Sequence, residues 1–271
     1  MTVDPAQLAQ GREDLVALLR VSAVHGYNEG IDNHYSLALD GHDDLFLLNR
    51  YGPHWSEMVP SDILLVDLEG NVVDGAGDGQ ITALQIHRQI HRARPDARCV
   101  MHTHMPYASA IASTKTGFLT RLTQNSMSFH GSVATLGYGG QVQGDGEGER
   151  LAKAVAKGAN AIFLQNHGVI LVGATPAEAW LRTYFLERAC EVQVLAQSTG
   201  SELVLAPKKV AEHTAQQWAD ACPEEGPLLF DAMKRLLDRD QPGWRGESGS
   251  GEGAIVDRKS TRLNSSHVKR S

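Results

Sequence analysis

Two histidines one residue apart stand in the segment 99–108, CVMHTHMPYA. The apolar run ahead of them reads as a strand, and in a strand residues i and i+2 leave the same face. His102 and His104 therefore project together, close enough to share one cation or to form a solvated, hydrogen-bonded pair. A third histidine, His167 in QNHGV, falls where a second apolar run breaks beside Gly168, and loops at strand ends carry function. Added to the pair, it completes three neutral nitrogen donors with a coordination position left open, as catalytic metal sites have. Such a set suits Zn²⁺, Fe²⁺, Mn²⁺ or Co²⁺, and ligand type alone does not choose among them.

Two more histidines, His87 and His91, stand four apart and so share one face of a helix. A second metal pair would need a third ligand that the sequence does not supply nearby. Helix-surface histidines, or histidines behind the first metal ligands, fit better. The chain has 12 histidines, about twice a chance supply, and His25, His42, His54, His130 and His213 have no such partners in the pattern.

The elements that must hold these residues follow from periodicity and turn chemistry. Residues 5–25 form an amphipathic helix stopped by Gly26. Strands at 34–39 and 45–49 flank Asp40-Gly41, and strands at 63–67 and 71–73 flank Glu69-Gly70, two hairpins. A helix over 82–93 ends before Arg94-Pro95, because a residue preceding proline disfavours the helical region. A strand over 99–104 leads into a short helix opened by Pro106. A strand at 133–136, a helix at 146–156 and buried strands at 161–164 and 169–172 come next. Thr175-Pro176-Ala177-Glu178 is a capping box with proline at the first helical position. It starts a helix to about 197, and two helical segments near 208–220 and 224–239 complete the pattern. Several connections between strands are too short for helical crossovers, which predicts an α/β fold with a largely antiparallel sheet.

Composition bounds the function. With 25 Lys and Arg against 32 Asp and Glu the net charge is −7, which argues against a nucleic-acid footprint or a basic membrane patch. No apolar run approaches the roughly 18 residues of a membrane span, and no basic n-region precedes an apolar stretch at the start. Three widely spaced cysteines, at 99, 190 and 222, do not make a disulfide framework, so a reducing cytoplasm is expected. From Gly246 the chain turns Gly/Ser-rich and then basic, with five Lys and Arg in 258–271. The expected organisation is one domain over 1–240 and a disordered tail over 241–271, whose RKSTRLNSSHV resembles translated sequencing-adaptor sequence.

Five stretches, in order, give the chain a family likeness: GYNEGIDNHYSL, LLNRYG, IHRQIHRARPDARCVMHTHMPYA, LQNHGVILVG and LERACEVQVLA. Together they resemble the class II aldolase/adducin family over about residues 15–200. The resemblance implies a three-layer α/β/α domain around an antiparallel sheet, assembled as a ring-shaped homotetramer with the active site near a subunit interface. It also implies that His102, His104 and His167 bind a divalent metal, zinc first, with Fe²⁺ or Mn²⁺ as alternatives. In the aldolases this ion acts as a Lewis acid on a small-molecule substrate and stabilises the enediolate left when a C–C bond breaks.

The departures from the family pattern bear on the reaction. Sugar-phosphate aldolases carry Ser-Ser-Glu ahead of the helix that here holds His87 and His91; those positions are Ile81, Thr82 and Ala83. Alanine has no proton to give, and isoleucine cannot cradle a phosphate. The family's substrate-binding Asn falls at His34, next to Asn33, and the Thr of its Thr-Gly pair becomes Tyr51 before Gly52. Candidate replacements for the lost acid/base are His34, Tyr51, Glu57 and Tyr138, with His34 first by its ordinary pKa and Tyr138 second. Asn33, Tyr51, Gly52 and Thr82 are the candidate substrate-binding residues. The expected activity is a metal-dependent lyase, of aldolase or decarboxylase type, on a small unphosphorylated hydroxy or keto compound. Two alternatives are a mononuclear iron oxygenase on the same scaffold and a non-catalytic, adducin-like binding module.

Overall fold

The computed structural model describes residues 3–139 and 146–246, with only the backbone described at 81, 82, 146 and 147. In chain order its elements are α1 (Pro5–Val24), β1 (His34–Ala38), β2 (Leu45–Asn49), β3 (Ile63–Asp67), β4 (Val72–Asp74), α2 (Ile81–Ala93), β5 (Cys99–Thr103) and α3 (Pro106–Ala112). Then come α4 (Gln124–Met127), β6 (Val133–Leu136), α5 (Gly146–Ala156), β7 (Ala161–Leu164), β8 (Gly168–Gly173), α6 (Pro176–Ser198) and α7 (Lys208–Asp240). The strands make one sheet in the order β4-β3-β2-β1-β5-β8-β7-β6. Every neighbouring pair is antiparallel except β6 with β7. The expected α/β class and largely antiparallel sheet are what the chain forms.

Both faces of the sheet are covered, so its central strands are buried at nearly every position rather than alternately. Tyr35, Leu37, Cys99, Met101, Val169 and Leu171 point to one side and pack with residues of α1, α3, α6 and α7. Val100, Ile162, Leu164, Ile170 and Val172 point to the other and pack with Ile86 and Ile90 of α2 and Leu151 and Val155 of α5. The result is three layers. The first layer supplies most of the apolar core, and the second carries the polar row that becomes the site.

Three connections fix the region around the histidine pair. Thr103 donates its hydroxyl to the Tyr27 carbonyl, tying the end of β5 to the segment after α1. Pro106 opens α3, whose N-terminal Tyr107 and Ala108 N–H groups each donate to one carboxylate oxygen of Glu187, at 2.8 Å. Glu187 sits in α6, is buried, and its pKa is raised by burial, against which the two backbone bonds act. A carboxylate at a helix start meets free donors and the positive end of the dipole.

Two expectations are revised. The segments near 208–220 and 224–239 are one helix, α7, running through Pro223 and Pro227. Each proline removes only its own N–H and crowds one earlier carbonyl; burial of Cys222, Phe230 and Leu237 supports a continuous helix across that interruption. A Cβ at Gly226 would lie 3.3 Å from the Ala177 backbone, so glycine there lets α7 approach α6. The second revision is at the domain's end. Packing continues past residue 240: Trp244 is buried and donates to Asp238 at 2.8 Å, and Arg245 bonds Glu13 of α1 at 3.0 Å. Residues 247–271 lie outside the described residues. All three cysteines are buried and free, and no described helix is long and apolar enough to cross a membrane.

Replacing Glu187 by alanine strands two helix-terminal donors in a buried setting. We expect a loss of about 3 kcal/mol, at about 1–3 kcal/mol per unsatisfied buried group, read as a lower urea midpoint with unchanged slope.

Candidate metal centre

The register of the central strands assembles the site. In the β1–β5 pair His34 lies directly opposite His102, and in the β5–β8 pair Thr103 lies opposite Val169. His104 thus emerges just past the end of β5, level with the β7–β8 turn that carries His167. That turn is tight: His167 N–H donates to the Leu164 carbonyl at 3.1 Å, and Asn166 takes a left-handed φ of 57°, a conformation asparagine tolerates better than most residues. Ring centroids of His102, His104 and His167 stand 5.1, 4.9 and 4.7 Å apart pairwise. One ligand nitrogen from each falls within 4.8 Å of the others.

The nitrogens fit a cation. His102 Nδ1 donates to the Val169 carbonyl at 3.2 Å, which leaves Nε2 as a lone-pair donor, the usual way a backbone carbonyl sets the tautomer of a ligand histidine. His104 Nε2 and His167 Nδ1 are buried with no hydrogen-bond partner, an expense that native interiors rarely tolerate without an ion or water to meet them. Burial lowers the pKa of all three rings, chiefly by desolvating the charged form; His167 is pushed down to about 4. Neutral imidazole is the form that ligates metal. Among the described residues this is the one cluster of three His, Cys, Asp or Glu groups with that geometry.

The other expected site residues fall into two groups. His34 is buried and its ring lies 4.8 Å from that of His102. Tyr138 is half-exposed with its ring 6.1 Å from His167. Asn33 is buried; its side-chain oxygen accepts from Glu29 N–H at 2.7 Å, while Nδ2 has no partner. His34 and Tyr138 border the histidines, and Asn33 precedes His34 in the chain. Tyr51 instead spends its hydroxyl on Asp32 at 3.3 Å, and Gly52 follows it in a turn at φ 115°. Glu57 accepts from the His54 N–H in an exposed turn. The side chain of Thr82, in the first turn of α2, lies outside the described residues. Ala83 is fully buried in an apolar cluster with Phe46, Leu48, Leu64 and Val66, so its position supplies neither proton nor ligand.

One set of residues was not singled out by spacing, and a second was singled out without its connecting residue, Ser36. Glu29 Oε2 lies 4.0 Å from His104 Nδ1, and Asp32 raises the same ring's proton affinity, against the dominant effect of burial. Both sit in GYNEGIDNHYSL, where two acids three apart before a strand were the available signal. The second set is behind His34: its Nδ1 bonds His87 Nε2 at 2.7 Å, and Ser36 Oγ bonds both His87 Nδ1 and His91 Nε2, the latter at 2.8 Å. His87 and His91 are buried, so they stand behind the site rather than on the helix surface.

Gly168 is where the site is tightest: a Cβ there would come within 2.6 Å of the His104 ring and 2.7 Å of the Thr103 carbonyl. Gly168→Ala must therefore displace His104, and we expect metal retention to fall at least tenfold with fold intact, measured by equilibrium dialysis and circular dichroism. A second prediction concerns pH. His91 has its pKa lowered from 6.5 to about 4 by burial, so below pH 6.5 the unfolded chain takes up a proton that the folded chain refuses. Stability of the metal-free protein should fall with acidification through that window, by about 2 kcal/mol between pH 7 and 4.5 from this ring alone. His91→Leu should flatten that slope in urea titrations at the two pH values.

Comparisons with known proteins show which family the fold belongs to. The profile described as Class II Aldolase and Adducin N-terminal domain matches residues 13–194. A Caulobacter vibrioides protein provisionally named an aldolase class 2 protein is 38% identical over 237 residues, covering 87% of this chain and 91% of the relative. Beta-adducin of Rattus norvegicus is 29% identical over 258 residues, and this chain spans 35% of its length. Among solved structures, an aldolase II superfamily protein from Pseudomonas syringae superposes with TM-score 0.83 at 32% identity, covering 90% of this chain and 97% of that one. The L-fuculose 1-phosphate aldolase of Glaciozyma antarctica PI12 superposes with TM-score 0.74 at 27% identity, covering 88% and 96%. With two thirds of its length matched by the family model and a relative 38% identical along nearly its whole length, the chain belongs to the class II aldolase and adducin family.

Proposed function

We propose that this protein is a metal-dependent carbon–carbon lyase acting on a small hydroxy or keto compound that carries no phosphate. The observation that carries the reading is the convergence of His102, His104 and His167 with two buried, unpartnered nitrogens among them. A binding module gains nothing from that arrangement and bears its desolvation cost. A divalent ion held there, zinc by family resemblance, supplies Lewis-acid polarisation of adjacent substrate hydroxyl and carbonyl oxygens.

The chain's own residues set what else the site does. His34 stands beside His102 as the nearest group able to accept a substrate proton, and Asn33 Nδ2 is a free buried donor for a substrate oxygen. Tyr138, beside His167, is placed to exchange a proton from the solvent side. The absence of a phosphate from the substrate is supported by charge. Where the resemblance sets part of the phosphate cradle, Tyr51 is bonded to Asp32, and Glu29 lies near His104. A dianion brought there would meet carboxylates of its own sign. The reading includes a cytoplasmic homo-oligomer, tetrameric by resemblance; Val204 and Leu228, 87% and 71% exposed, are apolar surface for a second copy to cover.

The test is elemental analysis of protein purified without added metal, run beside His102→Ala and His167→Ala, then a lyase screen. We expect about one Zn, Mn, Co or Fe per chain, lost in both variants, and cleavage or decarboxylation of unphosphorylated hydroxy or keto acids. Wild-type protein that holds no metal after reconstitution would overturn the reading, and turnover confined to phosphorylated sugars would overturn its substrate class.

A further inference from the structure

The sheet ends at β6, and that end is open. In the parallel β6–β7 pair the Ser132 and Leu136 carbonyls accept from the N–H groups of Ala161 and Gln165. Backbone groups alternate in direction along a strand, so those of Val133 and Thr135 point away from β7, past the last strand of the sheet. Native edges are blunted by a charge, a proline or a bulge on the edge strand. β6 reads Val-Ala-Thr-Leu in four unbroken register pairs and has none of these.

Beside that edge lies a cleft of about 410 Å³ between β6 and α5. Small residues leave it open: Ala134 on the strand, Ala154 on the helix and Ala159 after it fill less of the seam than longer side chains would. Arg150, Lys153 and Lys157 also line the cleft, at i, i+3 and i+7 along one face of α5 and its last turn, and all three are exposed. The row spans about 10 Å, which is also about the length of β6, at 1.5 Å per helical residue and 3.3 Å per strand residue. It runs alongside the strand. Lys157 lies just before β7, whose Ala161 pairs with Val133, and a Cβ at Gly139, past the other end of β6, would come within 2.8 Å of Arg150 Nη2. Among the described residues none of these three cations has an acidic partner, and no acid lines the cleft. Arg12, Arg98, Arg182, Arg188 and Lys234 each hold one. At the opposite edge of the sheet the charge on β4, Asp74, is already answered by Arg12. In a chain of net charge −7, an unanswered cationic row along an unblunted strand edge calls for a partner of opposite charge.

We propose that β6 is a docking edge for an extended acidic peptide segment of another protein, which joins the eight-stranded sheet as one more strand with its carboxylates over Arg150, Lys153 and Lys157. The peptide backbone bonds the outward N–H and C=O groups of Val133 and Thr135, a contact that is indifferent to peptide sequence. Side chains on one face of the added strand recur every second residue, about 7 Å apart, so acids at alternate positions fall along the cation row. The lysine stems and the alanine floor receive their methylenes. A small anion answers the cations alone and leaves the edge of β6 unmet; the peptide answers both. The docking edge stands independently of the lyase reading.

The experiment is an amide NMR titration of the full ¹⁵N-labelled chain with a blocked hexapeptide alternating Glu and Thr. We expect saturable shifts of the Val133 and Thr135 amides, with a Kd of about 1 mM or tighter that weakens as salt rises. Lys153→Glu combined with Lys157→Glu, both at exposed positions, should weaken binding about tenfold with circular dichroism unchanged. Two further peptides carry N-methyl groups on every Glu or on every Thr. Only one set of N–H groups can face β6, so one of the two must lose binding. Both methylated peptides binding like the parent, or free glutarate moving the same amides with equal affinity, overturns the proposal in favour of a small-anion site. Binding unchanged by the charge reversal or by Lys in place of Glu in the peptide overturns it too, as does the lack of any saturable shift. Shifts of Val133 and Thr135 that grow with protein concentration alone give the edge to a second copy of the chain, and the acidic partner falls.

Discussion

The antiparallel register of β1 against β5 is the constraint on which the site depends. It sets His34 opposite His102, and through β5 and β8 it brings the β7–β8 turn level with His104. Side chains alternate with a period of two, so a slip of one residue would send His34, Ser36 and His102 into the apolar layer under α1 and α6. That alternative is closed by what the opposite face holds. Tyr35 buries its ring against Trp55 at 4.6 Å and bonds Ser22 at 2.9 Å, and Met101 and Leu37 fill the same layer. The apolar face therefore fixes the polar one.

A buried polar row inside an apolar layer is costly unless each member is satisfied. Here the satisfaction is serial. His34 meets His87, His87 meets Ser36, and Ser36 meets His91, whose ring packs 5.2 Å from Phe46. At the candidate metal centre itself His104 Nε2 and His167 Nδ1 remain unsatisfied, as does Asn33 Nδ2 ahead of β1. Two unmet nitrogens facing each other across one cluster of rings form an arrangement that an ion would satisfy.

Much of this was legible in the sequence because the signals were local. The i, i+2 histidines of a strand and the glycine beside His167 are short-range patterns, and the capping box at Thr175 did mark the start of α6. Less legible was whatever depends on a distant partner. His87 and His91 read equally as helix-surface histidines or as histidines behind the metal ligands, because Ser36, which joins them, is some fifty residues away. Pro223 and Pro227 read as a break because their local effect is strong, while the packing of α7 on α6 that overrides it is tertiary. The capping of α3 by Glu187 likewise joins residues far apart in the chain, and no spacing rule announces it.

The exchange of groups on α2 ties these threads to chemistry. Ala83, His87 and His91 recur every four residues and so form one stripe toward the sheet. At the first position the stripe is apolar and closed over by Phe46 and Leu48; at the next two it is polar and bonded to β1. Relatives of the sugar-phosphate class place a carboxylate at the first position, by resemblance, and derive an acid/base from it. This chain has moved its polar investment one and two turns along the helix, where it supports an imidazole on β1. A carboxylate brings negative charge to the metal and lowers its Lewis acidity, whereas a neutral imidazole does not. On the lyase reading proposed above, the same change that removes the familiar proton donor would leave a bound ion more electron-withdrawing, which would suit C–C cleavage in a small acid without a phosphate.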